Sequence, residues 1–269
     1  MLRAFAYVFA ALTLLTACGR EPSPVEPSLT LPVEVIQAVA KQRVVFAHQS
    51  VGNEVLKGVA TLADTAKTPL HIAETREVPS DRGGIFHFKV GENGNPQRKL
   101  ADFASVVSRS STKPDVALIK LCYIDFTDAT DGAALAAEYI ATLDQLQSQY
   151  PATRFVPVTA PLTTIQTGPK AWIKQAMGKQ PAGYVVNARR NAFNEALRAR
   201  YGRSGLFDIA AVETGPTISI DGKQIQVLDP SLTYDGGHLN EAGQRKAAVA
   251  LLQFLAQTTP ASHEHLPGA

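Results

Sequence analysis

Residues 115–121 read Asp-Val-Ala-Leu-Ile-Lys-Leu, an apolar run that, after its leading Asp115, is broken only by Lys120. A run of this kind suits a strand covered on both faces, and so points to a sheet packed between helices. The middle of the chain keeps that rhythm. Residues 43–47, 70–73, 153–159 and 206–209 have strand composition. Between them, residues 50–64 carry Val51, Val55, Val59 and Leu62 at helical spacing, and 133–150, 185–201 and 240–257 are further helices. Strand–helix alternation implies an α/β fold with a mainly parallel sheet and helices on both faces. Ligands of such sheets sit at the carboxyl ends of the strands. Pro157 marks a strand end or a bulge. No internal repeat or mid-chain linker interrupts the pattern, which predicts one domain over residues 33–257.

Three segments break the rhythm. Residues 75–96 are rich in Gly, Asn and charge, and residues 161–183 hold three prolines, three glycines and the single tryptophan, Trp172. Both read as long loops that shape a substrate site. Arg82 and His87 fall in the first and read as solvated loop residues, with substrate contact as the alternative. Trp172 suits either stacking on a sugar ring or burial as a loop anchor. In residues 213–230, Asp221-Gly222 reads as a hairpin turn.

Composition excludes several classes. Of 269 residues, 45% are hydrophobic and 19% charged, which fits a folded chain rather than a disordered one or a coiled coil. The formal charge of +2 offers no basic excess for nucleic acid. The two cysteines, Cys18 and Cys122, exclude a disulfide framework and a Cys-rich zinc site. Cys122 ends the apolar run and reads as a core cysteine. His263-Glu264-His265 has no third ligand and reads as part of a polar tail, residues 258–269. No metal or organic cofactor is expected.

Residues 1–18 combine Arg3, an apolar stretch from Ala4 to Thr16 too short to span a bilayer comfortably, and Leu15-Thr16-Ala17-Cys18. This resembles a bacterial lipoprotein signal, in which residues 1–17 are removed and Cys18 is lipidated. An ordinary secretory signal is the alternative. The lipoprotein likeness implies a periplasmic or surface protein held to a membrane by lipid alone. Gly19 in place of an Asp favours the outer membrane. The Pro-rich segment 18–32 reads as the tether.

Two constellations carry chemistry. Phe46-Ala-His48-Gln49-Ser50-Val51-Gly52 sets a serine after the first strand and at the start of a helix. There the helix N-terminus supplies free N–H groups to a developing oxyanion. Ser50 also fits a plain N-cap. Tyr234-Asp235-Gly236-Gly237-His238-Leu239-Asn240 precedes the last helix. The glycines let the chain fold back, so that Asp235 orients His238 as general base toward Ser50. A solvated Asp and His at a Gly-rich helix entry is the bland alternative.

A serine after strand one and an Asp-x-x-His before the last helix resemble the first and last blocks of the SGNH (GDSL-type) hydrolase superfamily. The resemblance implies a three-layer α/β/α sandwich with a five-stranded, mainly parallel, flavodoxin-like sheet. It implies a serine esterase, without cofactor, for acyl or acetyl esters, plausible substrates being those of cell-envelope carbohydrate. An O-acyltransferase with the same triad and a catalytically decayed glycan-binding lipoprotein are the alternatives. The departures are specific. The family's Gly-Asp-Ser stands here as His48-Gln49-Ser50. Its Gly-x-Asn-Asp stands as Cys122-Tyr123-Ile124-Asp125, so the donor Asn has become Ile124. The oxyanion hole is expected from the Ser50 amide with Gly94, or else Gly91, in the stretch Gly91-Glu92-Asn93-Gly94-Asn95. Asn93, Asn95 or His48 are the candidates to replace the lost Asn. His48 and Asp125 are expected near substrate, with Asp125 also suited to holding its loop by hydrogen bonds.

Overall fold

The computed structural model describes residues 31–258 except Arg203, Pro216 and Asp221. The leader, Cys18 and most of the tether lie outside the described residues, as do Asp221 of the expected turn and the His263–His265 tail. In chain order the elements are α1 (Val33–Ala40), β1 (Arg43–His48), α2 (Ser50–Thr65), β2 (Ile72–Glu74), β3 (Gly84–Lys89), α3 (Pro96–Arg109), β4 (Val116–Ile119), α4 (Gly132–Gln149), β5 (Arg154–Pro157), α5 (Pro169–Ala176), α6 (Tyr184–Tyr201), α7 (Ile209–Glu213), β6 (Ile218–Ile220), β7 (Lys223–Ile225) and α8 (Glu241–Gln257).

The main sheet has five strands in the order β2-β3-β1-β4-β5, every pair parallel. Side chains alternate across it. Val44 and Phe46 of β1 face a core built with α2 and α8, while Val45 and Ala47 face the opposite core against α3, α4 and α6. Both faces are buried, as the apolar run of β4 requires. Pro157 ends β5 at the sheet edge, where its missing N–H costs no ladder bond. Phe207 extends that edge by a parallel bridge to Val158.

Residues 75–96 differ from the sequence expectation. They contain β3, a buried strand between β1 and β2, and His87 lies within it at 8% exposure. The strand Gly-Ile-Phe-His-Phe-Lys holds a histidine where an apolar residue would announce a core strand. That histidine is buried because it bonds to His48 on the neighbouring strand.

From β1 the chain turns toward β2, and from β4 it turns the other way, toward β5. The crevice at the carboxyl ends of β1 and β4 is thus the switch point where ligands of open α/β sheets bind.

One buried carboxyl makes stability pH-dependent. Glu213 is 2% exposed; Oε2 accepts the Leu162 N–H at 3.0 Å, and Oε1 has no hydrogen-bond partner among the described residues. Burial pushes its pKa up to about 8 from 4.5. The folded protein therefore binds this proton more tightly than the unfolded chain, and the associated stability is lost as pH rises from 4.5 toward about 8. The buried His48 and His87, whose pKa values burial lowers, contribute with the opposite sign over the same range, so the share of Glu213 is read against a variant. In urea denaturation at pH 5 and pH 8, Glu213→Gln, which keeps an acceptor for Leu162, should gain stability relative to the wild type on going to pH 8; an unchanged difference between the two proteins would assign the pH dependence to other groups.

Candidate active site

β1 delivers the chain to a sharp elbow. Gln49 is the N-cap of α2, and Ser50 is the first helical residue, exposed to solvent. No side chain caps this helix, so Ser50 does not serve as the N-cap and the first-turn amides are left without intrahelical partners. Gln49 Nε2 donates to the Val90 carbonyl at 2.8 Å and ties the elbow to the end of β3.

His48 supports the elbow from below. It is 1% exposed, its Nδ1–H donates to the Gln49 carbonyl at 2.8 Å, and its Nε2 accepts from His87 Nδ1 at 3.0 Å. These tautomers follow because a carbonyl can only accept. Burial lowers the His48 pKa to about 3 and lowers that of His87, so the pair is neutral. A Cβ at Gly52 would lie 2.4 Å from the His48 Cβ, so glycine alone lets the imidazole pack against the first turn of α2. The expectation that His48 touches substrate is therefore corrected: both its ring nitrogens are spent inside the fold.

The other half of the site is the loop before α8. Asp235 Oδ1 accepts the N–H groups of Gly237 at 2.9 Å and His238 at 2.7 Å, while Oδ2 lies 2.6 Å from His238 Nδ1. Gly236 has φ +92, in the region where side chains strain the backbone, and a Cβ there would lie 2.7 Å from Thr164 Oγ1. The bonds from the His238 amide and ring, with the Gly237 amide, hold the Asp235 carboxyl down at about 2 against the opposing effect of burial. It is a carboxylate at any physiological pH. As an acceptor it fixes the proton on Nδ1 and leaves the Nε2 lone pair facing Ser50 Oγ, 3.1 Å away. Residues 188 positions apart are thus joined as Ser50, His238 and Asp235.

Glu54 and two tyrosines fix this meeting, and the sequence reading assigns a role to none of them. Glu54, one turn beyond Ser50 on α2, is 7% exposed; Oε2 accepts the Leu239 N–H at 2.8 Å, and Oε1 accepts from the Tyr234 hydroxyl at 3.4 Å. It fastens the histidine loop to the serine helix. The Tyr234 ring stacks on His238 at 5.8 Å and 9°. Tyr123, in the 3₁₀ turn after β4, meets His238 edge-on, with its hydroxyl 3.2 Å from Nε2. Burial, then the charge of Asp235, raises the Tyr123 pKa, so the phenol keeps its proton.

The glycine amides expected in the oxyanion hole are engaged elsewhere. The Gly94 N–H donates to Asp125 Oδ1 at 2.8 Å, and the Gly91 N–H to Asp102 Oδ2 at 2.8 Å. Gly94 lines a surface cavity with Pro96, Thr127 and Thr130 that neither Ser50 nor His238 borders. Asn93 Oδ1 accepts from Lys99 Nζ at 2.9 Å, and Asn95 caps α3. Asp125 is corrected as a substrate contact too. It is fully buried, pairs with Lys99 at 2.7 Å and accepts the Cys122 N–H at 2.6 Å, which makes it the anchor of the turn carrying Tyr123. Arg190 braces the same turn by donating to the Tyr123 carbonyl at 3.2 Å. Ile124, where the family has Asn, is 52% exposed. Cys122 is buried, as a core cysteine should be.

The sequence model of the family described as GDSL-like Lipase/Acylhydrolase matches residues 50–251, from Ser50 into α8. The chain belongs to that family. This GDSL-like acylhydrolase is a serine esterase, a hydrolase of ester bonds. Among solved structures, a protein from Streptococcus pneumonia assigned as a platelet activating factor aligns at 11% identity and TM-score 0.46, over 83% of this chain and 87% of its own. A Desulfitobacterium hafniense protein assigned to the lipolytic G-D-S-L family aligns at 12% identity and TM-score 0.45, over 79% and 99%. A Parabacteroides merdae protein assigned as a GDSL-like lipase aligns at 13% identity and TM-score 0.42, over 80% and 97%. Among curated protein sequences none matches the chain.

Proposed function

We propose that Ser50, His238 and Asp235 carry the esterase reaction of this GDSL-like acylhydrolase. The observation that carries the proposal is the unbroken chain from Ser50 Oγ to His238 Nε2 at 3.1 Å and from His238 Nδ1 to Asp235 Oδ2 at 2.6 Å. His238 Nε2 takes the Ser50 proton as Oγ bonds to the ester carbonyl carbon. The resulting oxyanion is held by the Ser50 amide and the Tyr123 hydroxyl, which stands in for the missing Asn side chain. The imidazolium then gives its proton to the departing alkoxide, leaving an acyl-Ser50. Water attacks that ester with His238 as base, and release of the acid restores Ser50. The intact hydrogen-bonded chain supports an enzyme over a decayed glycan binder.

The substrate class we propose is an acyl or acetyl ester borne on cell-envelope carbohydrate. Its support is the open position of Ser50: an exposed nucleophile suits a small acyl group on a bulky carrier. We further propose that the chain is a lipoprotein anchored through Cys18, on the strength of Leu15-Thr16-Ala17-Cys18. The catalytic assignment is tested with a fluorophosphonate probe, which reacts only with an activated serine. Peptide mapping of the labelled protein should place the adduct on Ser50 alone. Absence of labelling, or an adduct on another serine, would overturn the assignment.

A further inference from the structure

The helix α5 is built inside out. Among its residues Ala171 is the buried one, while Trp172 and Ile173, with Met177 just past its end, are exposed at 68%, 61% and 64%. At about 100° per residue, Trp172, Ile173, Ala176 and Met177 share one arc of the helix, roughly opposite Ala171. Three of the large exposed hydrophobic side chains among the described residues thus fall within six positions. An apolar arc aimed away from the protein body marks a surface that something else covers.

The charge around the arc identifies what covers it. Lys170 and Lys174 border the arc and Lys179 follows it; none has an ion-pair partner among the described residues. From residue 161 to 183 there is no Asp or Glu. Tryptophan with aliphatic side chains on one face and unpaired lysines beside it is the composition of a segment that lies in an anionic membrane interface. No helix among the described residues is long and apolar enough to cross a membrane, so the contact would be peripheral.

The segment is also tied to the site. Thr164 donates its N–H to the Gly236 carbonyl at 2.8 Å, and Gln166 donates to the Ala182 carbonyl at 2.9 Å. The loop bearing α5 therefore closes on itself at a base bonded to the Asp235–His238 turn.

We propose that α5 is a docking surface for anionic lipid, which seats Trp172, Ile173 and Met177 among the headgroups and presents the Ser50 site to the membrane face. Docking does not depend on the catalytic assignment, because it is read from Trp172 and not from turnover. Trp172 is the single tryptophan of the chain, so emission of the full-length protein reports this surface alone. In buffer, emission should be that of a solvent-exposed indole. Vesicles containing phosphatidylglycerol should shift it to the blue, and brominated lipid should quench it. Pure phosphatidylcholine vesicles should do neither, and high salt should reverse the shift. Replacing Lys170, Lys174 and Lys179 together by Glu should weaken binding on the order of 100-fold. Ile173→Ser with Met177→Ser should reduce the shift while far-UV circular dichroism and the melting temperature stay those of the wild type, which shows the variant folded. Three results would overturn the proposal: emission already blue in buffer, which means that residues 1–30 or a second copy cover the helix; vesicle binding through the leader with Trp172 unmoved; or equal shifts on neutral and anionic vesicles.

Discussion

Ser50→Ala is expected to lower kcat for a short-chain ester such as p-nitrophenyl acetate by a factor on the order of 10⁴–10⁶, leaving only what binding and the oxyanion donors supply. The substitution removes the one group that can form the acyl intermediate. It removes little else. Ser50 is exposed, it caps nothing, and among the described residues its side chain makes a single hydrogen bond, to His238. Alanine is the better helix former, and surface changes of this kind fall within about 0.5 kcal/mol. The melting temperature should therefore move by no more than about 2 °C. Rate and stability measured on the same preparation separate the alternatives. A large rate loss at constant melting temperature assigns the chemistry to Ser50. Unchanged turnover would move the nucleophile elsewhere, and a matching loss of stability would make Ser50 structural.

Much of this site is legible in the sequence, because its pieces are local. Asp235-Gly-Gly-His238 is a complete device within four residues: one carboxylate oxygen closes the turn on two amides and the other orients the ring. Ser50 is legible from its place between a β-branched run and a helical period. The architecture follows likewise from β4, whose apolar run demands cover on both faces. What is not legible depends on partners far along the chain. Gly91 and Gly94 look like free donors in sequence, yet the carboxylates that occupy them come from Asp102 and from Asp125, 11 and 31 residues away. His87 looks like loop polarity until His48 is set beside it, 39 residues earlier. Glu54 looks like an ordinary helix-surface acid, and only the return of the chain at Leu239 makes it a fastener. Trp172 suits stacking or burial in sequence; the fold leaves it bare.

Tyr123 is the most consequential of these residues, and Tyr123→Phe is expected to lower kcat by about 100- to 1,000-fold with KM little changed. The argument is one of elimination joined to position. The family's Asn is absent, the Ile124 side chain cannot donate, the amides of Gly91 and Gly94 are bonded to carboxylates, and the Asn93 and Asn95 side chains are tied through their oxygens to Lys99 and Arg98 of α3. The first-turn amides of α2, that of Ser50 first, remain, and a further donor set across from them is worth about 2.7–4 kcal/mol in the transition state. The Tyr123 hydroxyl lies against the His238 ring, 3.2 Å from the Nε2 that faces Ser50 Oγ and 3.4 Å from Nδ1, and so stands at the Ser50–His238 pair where the ester carbonyl is proposed to bind. Burial and Asp235 keep it protonated, hence a donor. Its turn is braced by the Lys99–Asp125 pair and by Arg190, which fixes the phenol before the charge develops. Phenylalanine preserves the ring contact with His238 and deletes only the hydroxyl. Because the fluorophosphonate adduct places a charged-type oxygen in the same position, labelling of Ser50 should slow in parallel with kcat. Should both rates survive the substitution, the oxyanion is held by the first-turn amides of α2 alone, and Tyr123 serves only to pack against His238.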